Sequence, residues 1–216
     1  MLMKIAVIGA AGQAGSNILR ESIMREHDAT AIVRNQATLK EDVQTLEKDL
    51  FELTTADIEA FDCIVNAFAP KSGEEHLYVE AGKHLISILQ PSQTRLLDIG
   101  SSGCLFTNKE KILRLLDSEE YPAQLTAAAK YQLQNLQQLQ QSSISWSFIC
   151  PALMFDAEGP RTGHYITGHD YLLMNSQHNS YISQADFAVA VVDEIENAKH
   201  INEAFTAASE NTTSAS

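Results

Sequence analysis

The stretch "KIAVIGAAGQAGSNILRESI", residues 4–23, decides the fold. Its apolar run ends at Gly9, which is typical of a strand buried on both faces in a parallel sheet. The residues that follow place Ile18 and Leu19 at helical spacing. A second apolar run, "ATAIVR" at residues 29–34, comes soon enough for one βαβ unit of about thirty residues. The stretch therefore predicts a strand, a helix and a second, parallel strand.

The same alternation continues along the chain and predicts an α/β fold with a doubly wound parallel sheet. We expect one domain over residues 1–216, a length that can build one sizeable core. The further predicted strands lie within residues 43–50, 62–69, 94–100, 144–151 and 203–208; helices are predicted over 73–89, where Ser72 and Glu75 form a capping box, over 123–140, and from the cap at Ser183.

The formal net charge of −13 argues against nucleic-acid binding, because an acidic surface repels phosphate backbones. A single nucleotide is not excluded, since a helix N-terminus and one arginine act locally. Cys63, Cys104 and Cys150 are widely spaced and predict buried thiols in a cytoplasmic protein. The histidines are scattered, so no metal site is predicted. No apolar run is long enough for a membrane span.

Three glycines follow the first strand in the spacing G-x-x-G-x-x-G. Gly9 permits a tight turn, Gly12 lets the backbone approach a phosphate, and Gly15 lets the helix pack closely on the strand. Backbone N–H groups at the start of the helix would then face a pyrophosphate. The alternative is a glycine-rich turn without a ligand. The buried strand before the glycines and the amphipathic helix after them favour dinucleotide binding.

Other strand ends offer further contacts for a dinucleotide. Arg34 follows the second strand, where an Asp or Glu would select NAD, whereas an arginine accommodates the 2′-phosphate of NADP. Arg34 therefore predicts NADP(H) in preference to NAD(H), and the alternative is a solvated loop arginine. Asp49 is a candidate acceptor for the adenine amino group, or an exposed loop acid. The fourth strand ends in residues that we place beneath the adenosine: Asn66, Ala67 and Phe68.

The fifth and sixth strands end on the side of the sheet where a substrate would lie. The fifth is followed by "GSSG", residues 100–103. The hydroxyls of Ser101 and Ser102 are candidates for substrate contact, and a pair of helix N-caps is the alternative. Pro151 follows the sixth strand and stiffens the turn where a nicotinamide ring would lie.

These residues together resemble the short-chain dehydrogenase/reductase superfamily, in whose extended and atypical branches this glycine spacing occurs. Within it, the chain is similar to the atypical NAD(P)-binding proteins named NADH-flavin reductases. That group is related to biliverdin reductase B and to the nitrogen-metabolite-repression regulators. The resemblance covers nearly the whole chain and rests on the segments "KIAVIGAAGQAGSNI", "RLLDIGSSG", "SWSFICPALMF", "GPRTGHYITG" and "ISQADFAVAVVDEIENAKH".

The resemblance implies a Rossmann domain that binds NADP(H), with a small lid near residues 155–180. Within that lid, His164, Tyr165 and His169 are either candidates for an acid near the nicotinamide or ordinary loop residues. The residues that the resemblance assigns to the cofactor are Gly9, Gly12, Gln13, Ala14 and Gly15 for the pyrophosphate, Arg34 for the 2′-phosphate, Asn66, Ala67 and Phe68 for the adenosine side, and Pro151, Ala152 and Leu153 with Ser101 and Ser102 for the nicotinamide side.

The chain departs from the superfamily in one respect that concerns the chemistry. Ordinary members use a Y-x-x-x-K pair, in which the tyrosine is the acid/base. Here Tyr121 is followed four residues later by Leu125, and the residue four places before Lys130 is Thr126. An aliphatic hydroxyl is too weak an acid to replace a phenol. Lys130 therefore either holds the nicotinamide ribose or is a surface lysine.

Three functions are compatible with a cofactor site that lacks this pair. The leading hypothesis is an NADP(H)-dependent oxidoreductase that reduces a flavin or a flavin-like small molecule, because hydride transfer between stacked rings needs no tyrosine. The alternative is a non-catalytic NADP(H) sensor that signals to a protein partner. A third candidate is an epimerase or isomerase of the extended branch, and the missing tyrosine counts against it.

Overall fold

The fold is that of a computed structural model, which describes residues 2–211. The opening stretch forms β1 (Lys4–Ile8), α1 (Gln13–Met24) and β2 (Asp28–Val33). β1 and β2 are parallel, with Ile5 opposite Ala29. The predicted βαβ unit is therefore confirmed.

The remaining elements follow the predicted alternation with few exceptions. The strands are β3 (Gln44–Glu47), β4 (Cys63–Asn66), β5 (Arg95–Ile99), β6 (Trp146–Cys150), β7 (Met154–Asp156), β8 (Ile166–Gly168), β9 (Tyr181–Ser183) and β10 (Glu203–Ala208), and the helices are α2 (Thr55–Ile58), α3 (Leu77–Leu89), α4 (Ala123–Gln141) and α5 (Gln184–Asn197).

Eight strands form one sheet in the order β3-β2-β1-β4-β5-β6-β10-β8. Seven of them are parallel, and β8 runs antiparallel to β10 at the edge. The direction of winding reverses between β1 and β4, and such a switch point opens a crevice at the carboxyl ends of the strands. The doubly wound Rossmann-like fold is confirmed, with one antiparallel edge strand added.

The alternation of side chains along β1 explains the two layers of helices. Ile5 and Val7 belong to a core shared with α1 and α5, whereas Ala6 and Ile8 belong to a core shared with α3 and α4. Both sets are buried, because successive side chains of a strand point to opposite faces. This double burial is why the strands appear in the sequence as continuous apolar runs.

The start predicted for the third helix was wrong. α3 begins at Leu77, and no side chain caps it within the described chain. Gly73 has a φ of +91°, and the Glu75 carboxylate accepts from the Gly73 amide at 3.0 Å instead of capping a helix. A glycine in the left-handed region interrupts helical geometry, so Ser72 and Glu75 lie in a turn that precedes the helix.

The segment expected as a lid, residues 155–180, is divided between two places. Its first half lies against the helices of the sheet's α1/α5 face: Arg161 forms two hydrogen bonds with Glu21, at 2.7 and 2.8 Å, and the Thr162 amide donates to Asp186 at 2.7 Å. Its second half pairs with the loop after β5, where the Leu172 amide donates to the Phe106 carbonyl at 2.8 Å. Closure of this segment over a ligand stays a prediction.

Candidate functional site

A cleft of about 670 Å³ lies at the carboxyl ends of β1 to β4, where the winding of the sheet reverses. This size falls in the range of small-molecule sites. Of the residues named for the cofactor from the sequence, six line the cleft: Gly9, Gly12, Arg34, Asp49, Ala67 and Phe68.

The glycine loop is shaped by close backbone contacts. Gly9 has a φ of +74°, and a Cβ there would lie 2.6 Å from the Ala67 carbonyl oxygen. A Cβ on Gly15 would lie 2.2 Å from the Gly9 carbonyl oxygen. Neither position accepts a side chain without movement of the backbone, so both glycines are required for the turn itself.

The start of α1 is suited to an anion. Gly12 is its N-cap, and within the described chain no side chain caps the helix and no acid lies in its first turn. The backbone N–H groups at the start of the helix, beside the cleft-lining Gly12, therefore meet no competing carboxylate from its first turn. An uncapped helix N-terminus binds phosphate through these groups and the helix dipole. The residues present fit a dinucleotide pyrophosphate.

Arg34 lines the cleft directly after β2. Within residues 2–211 it has no hydrogen bond and no ion pair. The turn after it is built without its side chain, because Asn35 caps that turn by accepting from the Ala37 amide at 2.9 Å. A free guanidinium beside a cleft is available for bidentate recognition of a phosphate.

Two other charged residues of the cleft are already engaged. The Asp49 carboxylate accepts from the Phe51 amide at 2.9 Å and caps a short turn of 3-10 helix. Lys48, which the sequence analysis did not single out, also lines the cleft. Its Nζ atom lies 2.7 Å from Asp57, which lowers the pKa of that carboxyl to about 2. The sequence offered no signal for Lys48, because the third strand was predicted within residues 43–50, whereas β3 ends at Glu47.

Asn66 forms part of the support for the cleft floor. The residue is buried. Its side-chain nitrogen Nδ2 donates to Asp98 at 3.0 Å, and its side-chain oxygen Oδ1 accepts from the Phe68 backbone amide at 3.3 Å. Phe68 contacts Phe51 and Tyr78 edge to face, with ring centroids 6.0 and 6.4 Å away. Asn66 thus holds the turn that presents Ala67 and Phe68 to the cleft.

Asp98 is a buried carboxylate behind this turn. Its second oxygen accepts from Asn135 at 2.8 Å, and no cation faces it among the described residues. Tyr78 is the other titratable group that its charge reaches. Burial outweighs the two amide hydrogen bonds and raises the pKa of Asp98 from 3.8 to about 7.

We expect this carboxyl to make stability depend on pH. Between its unfolded pKa of 3.8 and its folded value of about 7, only the folded chain keeps the proton. The contribution of Asp98 to the free energy of unfolding should therefore rise by about 1.4 kcal/mol per unit as pH falls from about 7 towards 4, and stay constant above that range. Asp98→Asn removes the titrating group and with it the effect. The new side-chain amide at position 98 can donate to the unpartnered Oδ1 atom of Asn135 once the Asn135 side-chain amide has turned over. Urea unfolding of the native protein and of Asp98→Asn at several pH values in this range tests the prediction. If the free energies of unfolding of the two proteins changed in parallel with pH, the prediction would be contradicted.

The turn after β5 brings three hydroxyls together. Ser101 and Ser102 begin the turn Ser102–Cys104 after β5. Tyr121 lies over this turn, since a Cβ on Gly103 would be 2.8 Å from its hydroxyl. The phenol is 6 % exposed, and burial raises its pKa despite the Ser102 and Ser101 hydroxyls, which lower it. Tyr121 is therefore a weaker acid than a free tyrosine and is closed off from a ligand.

The turn after β6 is mostly internal. Pro151 and Ala152 are buried, and Leu153 packs on a small apolar cluster that contains Leu115, Tyr121 and Ala129. Its amide donates to Ser180 at 3.1 Å. Leu153 is thus the most accessible of the three residues assigned to the nicotinamide side.

Lys130 lies on the exposed side of α4, next to the buried Ala129. No hydrogen bond or ion pair joins it to another residue of the described chain. Its exposure favours the surface-lysine alternative over a contact with a nicotinamide ribose.

Two of the three candidate acids from the expected lid lie at the α5/β10 side of the sheet. The Tyr165 hydroxyl donates to Asp193 on α5, and this contact together with burial raises its pKa. His169 lies 4.0 Å from Glu203, and His164 is exposed. The contact of the Tyr165 hydroxyl with α5 favours the alternative of an ordinary loop residue, and an acid near the nicotinamide stays a prediction.

The thiols are closed off from a ligand by burial, although the Cys150 thiol lowers the pKa of the neighbouring Cys104. All three cysteines are buried and free. Burial raises the pKa of Cys63 to about 12 and also raises that of Cys150.

Among the described residues, no group of three or more histidine, cysteine or acidic side chains could hold a metal ion. No helix in the same part of the chain is long and apolar enough to cross a membrane.

Comparison with known proteins agrees with the geometry of the cleft. A model of an NAD(P)H-binding family matches residues 9–198. The chain is 52 % identical over 211 residues to the uncharacterized protein YwnB of Bacillus subtilis (strain 168), a match that covers 96 % of this chain and 99 % of YwnB.

Solved structures extend the comparison. SP1627 of Streptococcus pneumoniae TIGR4, described as "a putative NADH-flavin reductase", is 36 % identical, with a TM-score of 0.92 over 96 % of this chain and 100 % of that one. ChuY of Escherichia coli O157:H7, described as an anaerobilin reductase, is 18 % identical, with a TM-score of 0.73 over 98 % and 100 % of the two chains. At that identity the likeness to ChuY shows the fold alone.

Proposed function

The chain belongs to this NAD(P)H-binding family, and from that premise we propose that it is an NADP(H)-dependent oxidoreductase that reduces a flavin or a flavin-like acceptor. The observation that carries the proposal is the cleft itself. An uncapped helix N-terminus lies beside the first strand, and Arg34 lies free after the second.

The preference for NADP(H) over NAD(H) rests on charge. Asp49 is the acid that lines the cleft, and its carboxylate already caps a backbone turn. A ribose with two free hydroxyls would therefore meet a carboxylate that already accepts one hydrogen bond, whereas a 2′-phosphate would meet the free guanidinium of Arg34. Charge-assisted hydrogen bonds of this kind contribute about 1.5–3 kcal/mol each.

The choice of acceptor rests on the substrate side of the sheet. A bound nicotinamide supplies a hydride, and a flavin ring accepts it when the two rings stack. The remaining proton comes from water, so no side chain has to donate one. Tyr121 is buried with a raised pKa and Lys130 is exposed, so neither supports the tyrosine–lysine route of carbonyl reduction. In our account Ser101 and Ser102 border the reacting rings, and Leu153 packs against them.

We further propose that the acceptor is a small molecule and that the protein works in the cytoplasm. The proposal of a cytoplasmic protein is supported by the three buried cysteines, which form no disulfide, as is usual for proteins of a reducing compartment.

Steady-state oxidation of NADPH with FMN, FAD or riboflavin tests the proposal. We expect turnover that saturates with flavin, exceeds the protein-free rate by at least about tenfold, and is faster with NADPH than with NADH at low cofactor concentration. Turnover at the protein-free rate, with NADPH bound as measured by calorimetry, would contradict the reductase and favour the non-catalytic sensor. The sensor predicts a protein partner that is captured with NADP and lost without it.

A further inference from the structure

The arginines of this chain divide into two groups. Four of the six form ion pairs: Arg20 with Glu41, Arg25 with Glu21, Arg95 with Glu194, and Arg161 with Glu21. Within residues 2–211, Arg34 and Arg114 have no carboxylate partner. In a chain with 28 acidic and 15 basic residues, two unpaired arginines are unexpected. Both lie at the carboxyl edge of the sheet, and Arg34 is already explained by the cofactor.

Arg114 is held beside the turn that carries the candidate serines. Its guanidinium donates to the Cys104 carbonyl, the last residue of the turn Ser102–Cys104. It also stacks on the Phe106 ring, with its Cζ atom 4.0 Å from the centroid. A guanidinium has five N–H donors, so these contacts leave several of them for a ligand. The side chain is thus positioned but not neutralised.

Arg114 lies in a loop that carries charges of both signs, with Glu110 between Lys109 and Lys111, together with exposed apolar side chains. Lys109 lies 5.7 Å above the Tyr171 ring, and Lys111 neutralises Asp170 at 2.6 Å. Ile112 is 85 % exposed and Leu113 is 42 % exposed in the same loop. A fixed cation beside exposed apolar side chains matches a planar ring that carries an anionic group.

We propose that Arg114 binds the anionic group of the acceptor, so that the preferred substrate is a planar ring bearing a phosphate or a carboxylate. Among flavins this selects FMN over riboflavin, which has the same ring and no phosphate. The inference rests on the proposed function, since it names the substrate class of the same site. Arg34 and Arg114 then hold the anionic ends of cofactor and acceptor on opposite sides of the reacting rings.

Equilibrium binding separates this inference from catalysis. Quenching of flavin fluorescence in the presence of NADP⁺ gives the affinities of FMN and riboflavin without turnover. We expect the native protein to bind FMN at least about tenfold tighter than riboflavin. Arg114→Gln should remove that preference by weakening FMN about tenfold while changing riboflavin by less than about twofold. Arg114→Lys keeps the charge and should give an intermediate FMN affinity.

Arg20→Gln is the matched control, because it removes the same charge from an exposed ion pair on α1 and should leave both flavins unaffected. Equal affinity of the native protein for FMN and riboflavin would overturn the inference. An equal loss of affinity for the two flavins in both Arg114→Gln and Arg114→Lys would also overturn it, as would a native protein that binds neither flavin. Turnover without FMN preference would overturn this inference alone. FMN preference without turnover would overturn the proposed reductase alone.

Discussion

Replacing Arg34 by glutamine should weaken NADPH binding by about 30- to 150-fold and change NADH binding by less than about twofold. The reason is that the Arg34 side chain has no hydrogen bond or ion pair among the described residues and, in our proposal, is the charged group that meets the 2′-phosphate in the cleft. Loss of one or two charge-assisted hydrogen bonds costs about 2–3 kcal/mol, and NADH has no phosphate at that position. Calorimetric titration of both cofactors measures the two affinities directly.

The control for this prediction is again Arg20→Gln, which makes the same change in net charge at a residue paired with Glu41. It should leave both cofactors bound as in the native protein, since its guanidinium lies outside the cleft. If Arg34→Gln weakened NADPH and NADH by the same factor, the assignment of Arg34 to the 2′-phosphate would be wrong.

Replacing Gly9 by alanine should destabilise the apo protein by about 3 kcal/mol and abolish detectable NADPH binding. Two costs act together. The φ of +74° is strained for any residue with a Cβ, and the new Cβ would lie 2.6 Å from the Ala67 carbonyl oxygen. The backbone cannot easily yield, because the Ala67 amide is bound to the Ile8 carbonyl at 3.0 Å. Denaturant unfolding gives the free energy, and calorimetry gives the binding.

Two other glycines separate these costs. Gly73 has a φ of +91° but open space around its Cβ position, so Gly73→Ala measures the conformational strain alone, about 1 kcal/mol. Gly12 has a φ of −76° and only the Gly9 carbonyl at 3.2 Å, so Gly12→Ala should keep the stability within about 1 kcal/mol and weaken cofactor binding. A Gly9→Ala protein no less stable than Gly73→Ala would contradict the packing argument.

The elements of the main sheet were the part of the fold most accessible from sequence. A strand buried on both faces is a continuous apolar run, and β1, β4, β5, β6 and β10 all lie within the predicted runs, while β2 begins one residue before its run. These features are local in the sequence, which explains why they could be predicted.

The short strands β7, β8 and β9 were missed because each has only three residues and no periodicity to detect. β8 is defined by its antiparallel pairing with β10, about forty residues later, and that pairing depends on the tertiary structure. The start of α3 was misjudged for a similar reason, since the positive φ of Gly73 overrides the capping pattern at Ser72.

In the candidate site, positions on the backbone were predictable but side-chain partners were not. Gly9, Gly12 and Arg34 follow from the rule that ligands bind beyond the carboxyl ends of strands. The engagement of Lys48 with Asp57, the burial of Asp98 between two amides, and the contact of Arg114 with Cys104 join residues from different elements. Such contacts carry no local signal, so only the folded chain reveals which charges are paired and which are free.

The most direct test of the central claim is an anaerobic single-turnover reaction of the NADPH-bound protein with FMN. We predict that flavin bleaching will saturate with protein, that one FMN will be reduced for each NADPH oxidised, and that deuterium at the transferred position of NADPH will slow the step. That result requires hydride transfer within the protein. Bleaching at the protein-free rate while NADPH is fully bound would contradict the account.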